Sequence, residues 1–298
     1  MGREQEKVSI IIAACNEGDN LIDTVDCILT NTTGVNFEVV VVDDGSTDGS
    51  GDHVAACFKQ EHRVVLIRTA GSGVAGGRNL GAQAAAGEIF VFLDGHTYTP
   101  PGWLEALTEP LHDRHTGMVG PVFASLNDIR GPKGFGGSWR GISLEMDWLP
   151  RQSDTPYPVP ILPGGCQVIS RRIFEKIGGY ESGMSRWGSE DLEISLRTWL
   201  LGYDCVLQPE AVVYHLFRNS HPYHVAVPQV IYNRLRLALL HFNSERAGRV
   251  IDHYRGLSGF GKIMAQLTDS DVSEKRKELF KLRSRDDNWY FTRFGCQV

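Results

Sequence analysis

Residues 39–46 read Val-Val-Val-Val-Asp-Asp-Gly-Ser, an unbroken β-branched run that ends in two carboxylates. A strand covered by helices on both faces has this composition, because neither face of its sheet meets water. Similar apolar runs occupy residues 8–12, 64–68 and 89–93. The stretches between them, such as residues 21–29 and 75–86, are long enough for crossover helices. We therefore predict an α/β fold with a mostly parallel, Rossmann-like sheet flanked by helices.

Polar side chains follow three of these predicted strands. They are Asn16-Glu17 after the first strand, Asp43-Asp44 after the second and Asp94-Gly95-His96 after the fourth. Ligands of parallel α/β sheets bind beyond the carboxyl ends of the strands. The sequence therefore predicts a binding site at this edge of the sheet.

The pattern changes beyond residue 97. Trp103 opens a predicted helix, and residues 118–122 predict another strand. Residues 131–163 are rich in Gly, Pro and Trp, which favours a substrate-facing loop over a linker. The charge-rich residues 274–285 predict a solvated helix or tail.

The composition excludes several classes of protein. A net charge of −6 over 298 residues argues against a general basic surface for nucleic acid. The six cysteines are scattered without metal or disulfide spacing, which favours reduced thiols. The sequence has neither an apolar signal peptide nor an apolar run of about 18 residues. We therefore expect a soluble, cytoplasmic chain without a transmembrane segment.

Asp94, His96 and His215 form a candidate metal site. Gly95 lets the two neighbouring side chains turn toward one ion, and His215 follows the apolar residues 211–213. A carboxylate with imidazoles suits Mn²⁺, or less well Mg²⁺, with diphosphate oxygens completing the coordination. The alternatives are that Asp94 caps a helix and that His215 is a buried structural imidazole.

A second cluster begins a predicted helix at residues 187–191, Trp-Gly-Ser-Glu-Asp. Ser189 is a candidate N-cap, which places Glu190 and Asp191 in the first turn, where the helix dipole stabilises anions. Acidic residues are common in the first turn of a helix, so Glu190 and Asp191 could have this structural role alone. A helix start does not require Trp187 or the neighbouring Arg186, which favours a functional role for the cluster. A carboxylate here could accept a proton from an acceptor hydroxyl or orient a substrate.

Residues 214–223 read Tyr-His-Leu-Phe-Arg-Asn-Ser-His-Pro-Tyr. Arg218 and His221 can neutralise a leaving diphosphate, and Tyr223 can donate to it or cover a ring. Pro222 stiffens the segment, which we interpret as a lid over a phosphorylated donor.

The glycine-rich residues 71–76 offer a competing interpretation. They fit the G-x-G-x-x-G pattern, and Asp94 lies about 20 residues further on, as in a dinucleotide-binding fold. An NAD-dependent oxidoreductase is therefore an alternative. However, the glycines follow the third strand instead of the first, and Asp43 and Asp44 would have no role. Arg78 better suits a contact near these two aspartates or a diphosphate.

Taken together, these motifs resemble GT-A-fold glycosyltransferases. The N-terminal half resembles family 2 in Cys15-Asn16-Glu17, Val41-Val42-Asp43-Asp44-Gly45-Ser46 and Gly76-Gly77-Arg78-Asn79. The C-terminal half is similar to the polypeptide N-acetylgalactosaminyltransferases in Asp94-Gly95-His96, Pro163-Gly164-Gly165, Trp187-Gly188-Ser189-Glu190-Asp191 and His215-Leu216-Phe217-Arg218. His221-Pro222-Tyr223 extends the last of these motifs.

The resemblance implies roles for the residues that match. Asp44, with Asp43, would contact the uracil and ribose of a UDP-sugar, and Asp94, His96 and His215 would hold Mn²⁺ on its diphosphate. Gly164 and Gly165 would let the backbone approach the sugar, while Glu190 would bind its hydroxyls. The closing loop would be formed by Trp187, Arg218, His221 and Tyr223.

Asp191 departs from the polypeptide-transferring family, which has Asn at this position. Those enzymes retain the anomeric configuration without a protein base, whereas inverting family 2 enzymes use an aspartate in this region. An ionised Asp191 therefore favours inversion. We also expect no membrane anchor, stem or lectin repeat, which argues against a Golgi-type role.

The predicted activity is metal-dependent transfer of a hexose or N-acetylhexosamine from a UDP-sugar to a hydroxyl or thiol. A peptide acceptor is attractive, and glycan, lipid and small-molecule acceptors stay open. A non-catalytic sugar-nucleotide-binding protein is a further alternative. We predict a transferase domain over residues 7–243, with a nucleotide-binding half near 7–96 and an acceptor half near 97–243. A helical extension over residues 244–298 would follow it.

Overall fold

Strands and helices alternate through the first hundred residues, as the sequence predicts. A computed structural model describes residues 6–298. Its strands are β1 (Val8–Ala14), β2 (Phe37–Asp43), β3 (Val64–Arg68), β4 (Ile89–Leu93), β5 (Thr97–Tyr98), β6 (Thr116–Ser125), β7 (Gly137–Arg140), β8 (Glu145–Trp148), β9 (Tyr157–Pro158), β10 (Cys166–Ser170) and β11 (Asp204–His215). Its helices are α1 (Asp19–Asn31), α2 (Ser50–Cys57), α3 (Gly73–Ala84), α4 (Trp103–Thr108), α5 (Arg171–Ile177), α6 (Glu190–Leu200), α7 (Val227–His241), α8 (Ser244–Tyr254), α9 (Phe260–Thr268), α10 (Val272–Leu282) and α11 (Asp287–Phe294).

The main sheet has the strand order β3-β2-β1-β4-β10-β6-β11-β5, and β9 pairs with β11. The first four of these strands run parallel, whereas β10 runs antiparallel to both neighbours. Strand β2 is buried along its whole length, which explains its unbroken valines. Helix α3 packs against β1 so closely that a Cβ on Gly81 would overlap the Ile11 side chain. The α/β fold with a mostly parallel sheet is confirmed.

Strand register brings the polar segments to one edge of this sheet. Ala14 at the end of β1 pairs with Asp43 at the end of β2, so the turns that follow lie side by side. At the far end of the sheet, β11 pairs with the short strand β5 and sets His215 opposite Thr97. Because Thr97 directly follows His96, this pairing places His215 beside the turn that follows β4.

Residues 131–163 are more ordered than the loop that the sequence predicts. They contain the hairpin of β7 and β8, which forms its own two-stranded sheet, and the short strand β9. The hairpin is anchored because the Trp139 side chain is buried and its indole N–H donates to the Tyr290 hydroxyl. These short strands were not predicted because the Gly and Pro residues among them are typical of loops.

Helix α6 is buried on nearly every side, including its charged residues. The Glu193 carboxylate is fully buried and accepts hydrogen bonds from Arg197 and His241. Ser189 occupies the predicted N-cap position, with Glu190 and Asp191 in the first turn, but its side chain does not cap the helix. Ser189 has a left-handed backbone, with φ of 70°, and makes no capping hydrogen bond. Instead, Glu190 accepts a hydrogen bond from the Gly188 N–H.

Helices α8, α9 and α11 pack on the main apolar core. Their buried residues in this core are Ala247, Val250, Tyr254, Ile263, Leu267, Tyr290 and Phe291. The expected helices of residues 244–298 are therefore present and share the main apolar cluster, while a domain boundary at 243/244 stays a prediction. No helix among residues 6–298 is long and apolar enough to cross a membrane.

Candidate active site

Asp94, His96 and His215 lie together at the carboxyl edge of the sheet. Their candidate ligand atoms are all within 4.8 Å of one another. The Nε2 atom of His215 is 3.2 Å from Oδ2 of Asp94, and the two imidazole rings are 4.6 Å apart between centroids. The structure therefore brings together the three residues that the sequence singled out as metal ligands.

The donor set fits a divalent cation. An ion such as Mn²⁺ or Mg²⁺ holds its ligands about 2 Å away, so side chains this close can reach one ion with small rotations. The Nδ1 atom of His215 is buried and lacks a hydrogen-bond partner within residues 6–298, so internal hydrogen bonding leaves this imidazole incompletely satisfied. One carboxylate and two imidazoles are a chemically suitable set.

Asp94, His96 and His215 are called the trio below. Arg78 is buried and contacts this trio at Asp94. Its Nη2 atom donates to Asp94 at 3.0 Å and to the Gly164 carbonyl at 2.7 Å, and Nη1 lies 3.7 Å from Glu190. Burial opposes ionisation of Asp94, but the hydrogen bond from His215 and the charge of Arg78 hold the pKa of this carboxyl well below its usual range. Arg78 lines the same cavity as Asp44 but forms its hydrogen bonds through Nη2 to Asp94 and Gly164, while its buried Nη1 has no hydrogen-bond partner among residues 6–298. A contact of Arg78 with a diphosphate stays a prediction.

Asp44 directly follows β2, as predicted, and its carboxylate is bound by other groups of the chain. Its carboxylate accepts hydrogen bonds from the Thr69 hydroxyl, from the N–H and hydroxyl of Ser72 and from the Gly73 N–H. The amino-terminal end of α3 therefore binds a carboxylate of the same chain, a usual role for a helix N-terminus. Asp43 accepts from the Ser46 N–H and stabilises the next turn. The glycine-rich turn is thus engaged internally, which argues against a dinucleotide site there.

Glu190 and Asp191 form an adjacent carboxyl pair. Burial and the charge of Asp191 raise the pKa of Glu190 from its ordinary value of 4.5 to about 7. Burial also raises the pKa of Asp191, although the Gly164 N–H, which donates to its carboxylate at 3.0 Å, opposes the shift. A carboxyl group that titrates near neutral pH is suited to proton transfer.

The segment after β11 folds over the site. The Trp187 and His221 rings are 4.3 Å apart, and His221 stacks on Tyr223 at 5.6 Å. Arg218 donates to Glu17 at 2.5 Å. Burial and the charge of Arg218 lower the pKa of His221 below its ordinary value, so at pH 7 this ring is a hydrogen-bonding group and not a cation.

Two cavities meet at the trio. The first, about 270 Å³, is lined by Cys15, Asp44, Arg78, Arg218 and Tyr223 among others. The second, about 450 Å³, is lined by Phe123, Trp148, Gly165, Asp191 and Arg234 among others. Both share Asp94, His215, Trp187, Glu190 and Phe217. The two cavities therefore adjoin each other, with Asp94 and His215 lining both.

Sequence reasoning missed several residues that line the site. Glu17 contacts both His96 and Arg218, and only its place at a strand end signalled it. Trp148 lies on the hairpin that was predicted as a loop, and Arg234 lies on α7, where no motif marks it. Their membership in the site depends on long-range packing.

Family models match most of the chain. The model of glycosyl transferase family 2 matches residues 9–178. The model described as the N-terminal domain of galactosyltransferase matches residues 148–224. The two ranges together include β2 to β11, all of β1 except Val8, and Asp94, His96 and His215.

Named relatives show the same similarity. Polypeptide N-acetylgalactosaminyltransferase 12 of Mus musculus is 32% identical over 95% of this chain. Polypeptide N-acetylgalactosaminyltransferase 3 of Homo sapiens is 31% identical over 97% of it. The chain spans 51% and 49% of these two proteins, about half their length.

Solved structures support the fold. The crystal structure of GalNAc-T7 with UDP, GalNAc and Mn²⁺ matches with a TM-score of 0.79 at 20% identity, covering 98% of this chain and 57% of that one. The structure of S. aureus TarS 1-349 in complex with UDP-GlcNAc matches with a TM-score of 0.58 at 17% identity, covering 94% of this chain and 76% of that one. The predicted GT-A fold class is confirmed.

Proposed function

Since this chain belongs to glycosyl transferase family 2, we propose that it is a divalent-metal-dependent glycosyltransferase. It would move a hexose or N-acetylhexosamine from a UDP-sugar to an acceptor hydroxyl or thiol. The observation that carries the proposal is the cluster of Asp94, His96 and His215, of which all three line the first cavity and Asp94 and His215 also line the second. A group transfer needs this arrangement, because donor and acceptor must meet at one point.

The first cavity is the proposed donor site. Asp94, His96 and His215 would hold Mn²⁺, or less well Mg²⁺, and the bound cation would neutralise the diphosphate as it leaves. Arg218 and Tyr223 line the same cavity and would bind the diphosphate by hydrogen bonds. The structurally similar GalNAc-T7 and TarS hold UDP with Mn²⁺ and UDP-GlcNAc, respectively, which supports a UDP-linked donor.

The roles of the remaining donor residues stay proposals. Asp44 lines the first cavity, but its carboxylate is already engaged by α3, so a contact with uracil or ribose would share it with the protein. Asp43 accepts a hydrogen bond from the Ser46 N–H in the turn after β2, so it would support the donor cavity only indirectly. Trp187 and His221, whose rings are 4.3 Å apart and tilted by 57°, would close the cavity together. Gly164 and Gly165 line the second cavity, and they would leave space for the sugar beside Glu190, which lines both cavities.

The second cavity is the proposed acceptor site. Trp148 and Phe217 present partly exposed rings to it, 6.0 Å apart in an edge-to-face arrangement. Asp191 lines this cavity, so its carboxylate is placed to accept the proton of an attacking hydroxyl or thiol. This base role would give inversion of the anomeric carbon. An apolar, aromatic wall suits a peptide acceptor, which the names of the relatives also favour.

The alternatives differ in what they predict. A transferase that acts on a polysaccharide, a lipid or a small molecule would use the same two cavities and differ only in the acceptor that it binds. A non-catalytic sugar-nucleotide-binding protein would bind the donor without turnover. A cytoplasmic location and a transferase domain over residues 7–243 are further proposals, which rest on the unpaired cysteines and on the motif positions.

Donor hydrolysis tests the proposal. UDP release from UDP-GalNAc, UDP-GlcNAc and UDP-hexoses is measured with Mn²⁺, with Mg²⁺ and with EDTA, in wild type and Asp94→Asn. Thermal-shift screening of the same donors ranks their binding, because a ligand of the native state raises its apparent stability. Mn²⁺-dependent UDP release that Asp94→Asn abolishes supports a transferase. Donor binding without release would favour the non-catalytic alternative.

A further inference from the structure

Glu17 joins two parts of the site that are distant in the chain. A single oxygen, Oε2, lies 3.1 Å from Nδ1 of His96 and 2.5 Å from Nη2 of Arg218. The Glu17 side chain is only 7% exposed, so these contacts replace water as its partners. Neither the strand β1 that precedes Glu17 nor the helix α1 that follows it requires this pairing.

The turn that contains Glu17 is itself firmly held. The side-chain carbonyl oxygen of Asn16 accepts a hydrogen bond from the Thr47 N–H at 2.7 Å. The Gly18 N–H donates a hydrogen bond to the Asp48 carboxylate at 2.9 Å. Asn16 also donates its side-chain amide to the Pro222 carbonyl at 3.3 Å. The turn therefore contacts both ends of the segment from Arg218 to Pro222 and keeps Glu17 in a fixed position.

The contact determines which nitrogen of His96 is free. A carboxylate can only accept hydrogen bonds, so Nδ1 of His96 must donate to it and carry the proton. Nε2 then keeps its lone pair for a cation. Hydrogen bonds from a carboxylate to the outer nitrogen of a metal-binding histidine fix its tautomer and ring orientation.

We infer that Glu17 is a positioning residue that orients His96 for the cation and holds Arg218 of the closing segment over the donor cavity. The inference rests on the proposed function, since it assigns the cation to the Asp94, His96 and His215 trio. Through one oxygen, Glu17 would join the metal site to the segment that covers the donor. A merely structural role would require only that Glu17 neutralise Arg218.

Mn²⁺ titration in the absence of donor, followed by the EPR signal of the free ion, tests the inference. We expect Glu17→Gln to weaken Mn²⁺ binding ~10- to 100-fold, the range for lost outer partners of metal ligands. Arg218→Ala removes the other contact of Glu17 and should leave Mn²⁺ affinity undiminished. Asp19→Asn, an exposed carboxylate in the next turn, is the charge-matched control and should weaken binding less than ~3-fold, because exposed charges are screened.

Equal Mn²⁺ affinity of Glu17→Gln and Asp19→Asn would overturn the inference. Should Glu17→Gln not fold, ¹⁵N NMR of the metal-free wild type gives an independent test. The His96 ring should be protonated at Nδ1, and protonation at Nε2 would overturn the inference. Wild type that binds no Mn²⁺ at the trio would contradict the proposed function instead, while the tautomer would still report on Glu17.

Discussion

The imidazole of His215 lies 3.2 Å from the Asp94 carboxylate, although 121 positions separate the two residues in the chain. Backbone pairing accounts for the approach. His215 pairs with Thr97 across β11 and β5, and the Leu216 N–H donates to the His96 carbonyl at 3.0 Å. The short strand β5 therefore assembles the candidate metal site, because it fixes where the end of β11 meets the turn after β4.

Replacing Glu190 by Gln should stabilise the metal-free protein at alkaline pH. The pKa of Glu190 is raised to about 7, so between pH 4.5 and 7 the folded chain binds more protons than the unfolded chain. The contribution of Glu190 to the free energy of unfolding is therefore present at low pH, and it is lost as the pH rises through this window. We expect Glu190→Gln to exceed wild type by ~2–3 kcal/mol in unfolding free energy at pH 8, since one pKa unit is worth ~1.4 kcal/mol. Urea unfolding in EDTA at pH 5 and pH 8 measures the difference, and an equal gap at both values would contradict it.

Replacing Glu193 by Gln, on the same helix, should have the opposite effect. Burial disfavours its charge, but Arg197 and His241 outweigh this cost and lower the pKa of Glu193 to about 2. Its contribution is present above pH 4.5 and is lost as the pH falls toward 2. Because the change leaves a buried Arg without its charge partner, we expect a loss of ~3–5 kcal/mol at pH 7. The same urea series measures it. Unchanged stability would show that this buried network is unimportant.

Removing Arg218 should impair turnover more than folding. The residue is partly exposed and its main partner is Glu17, so little core packing is lost with it. We expect Arg218→Ala to lower kcat for donor turnover ~100-fold, in the range for loss of one group that stabilises a developing charge. Its melting temperature should stay near that of wild type. Arg151→Ala, which removes an exposed Arg paired with Asp154, is the matched control. An unfolded Arg218→Ala protein would refute the donor-binding assignment.

The parallel half of the fold could be predicted because local composition specifies it. Apolar, β-branched runs mark β1 to β4, and the residues at the ends of β1, β2 and β4 mark the site. The edge strand β3 is only partly buried, which its composition did not indicate. The hairpin of β7 and β8 could not be predicted, since its short strands depend on contacts such as Trp139 with Tyr290. The three candidate metal ligands could be singled out because each stands beside an apolar strand. The hydrogen-bond partners of Asp44, Arg78 and Glu17 could not be predicted, because these partners come from other segments of the chain.

The anomeric configuration of the product tests the role of Asp191. If this carboxylate is the base, the sugar should be transferred with inversion, which ¹H NMR of the first product formed will show. Asp191→Asn should then lower kcat ~100- to 10,000-fold, the usual contribution of a general base. Ser185→Ala, just before the Trp187 motif, is a nearby control whose side chain forms no hydrogen bond among the described residues. Retention would remove Asp191 from the base role.

Anomalous diffraction tests the central claim most directly. Crystals soaked with Mn²⁺ and UDP, measured at the manganese absorption edge, should show one strong peak among the side chains of Asp94, His96 and His215. The diphosphate of UDP should lie against the same ion in the first cavity. A crystal with well-ordered UDP and no manganese peak at this trio, or with the ion bound elsewhere, would contradict the account.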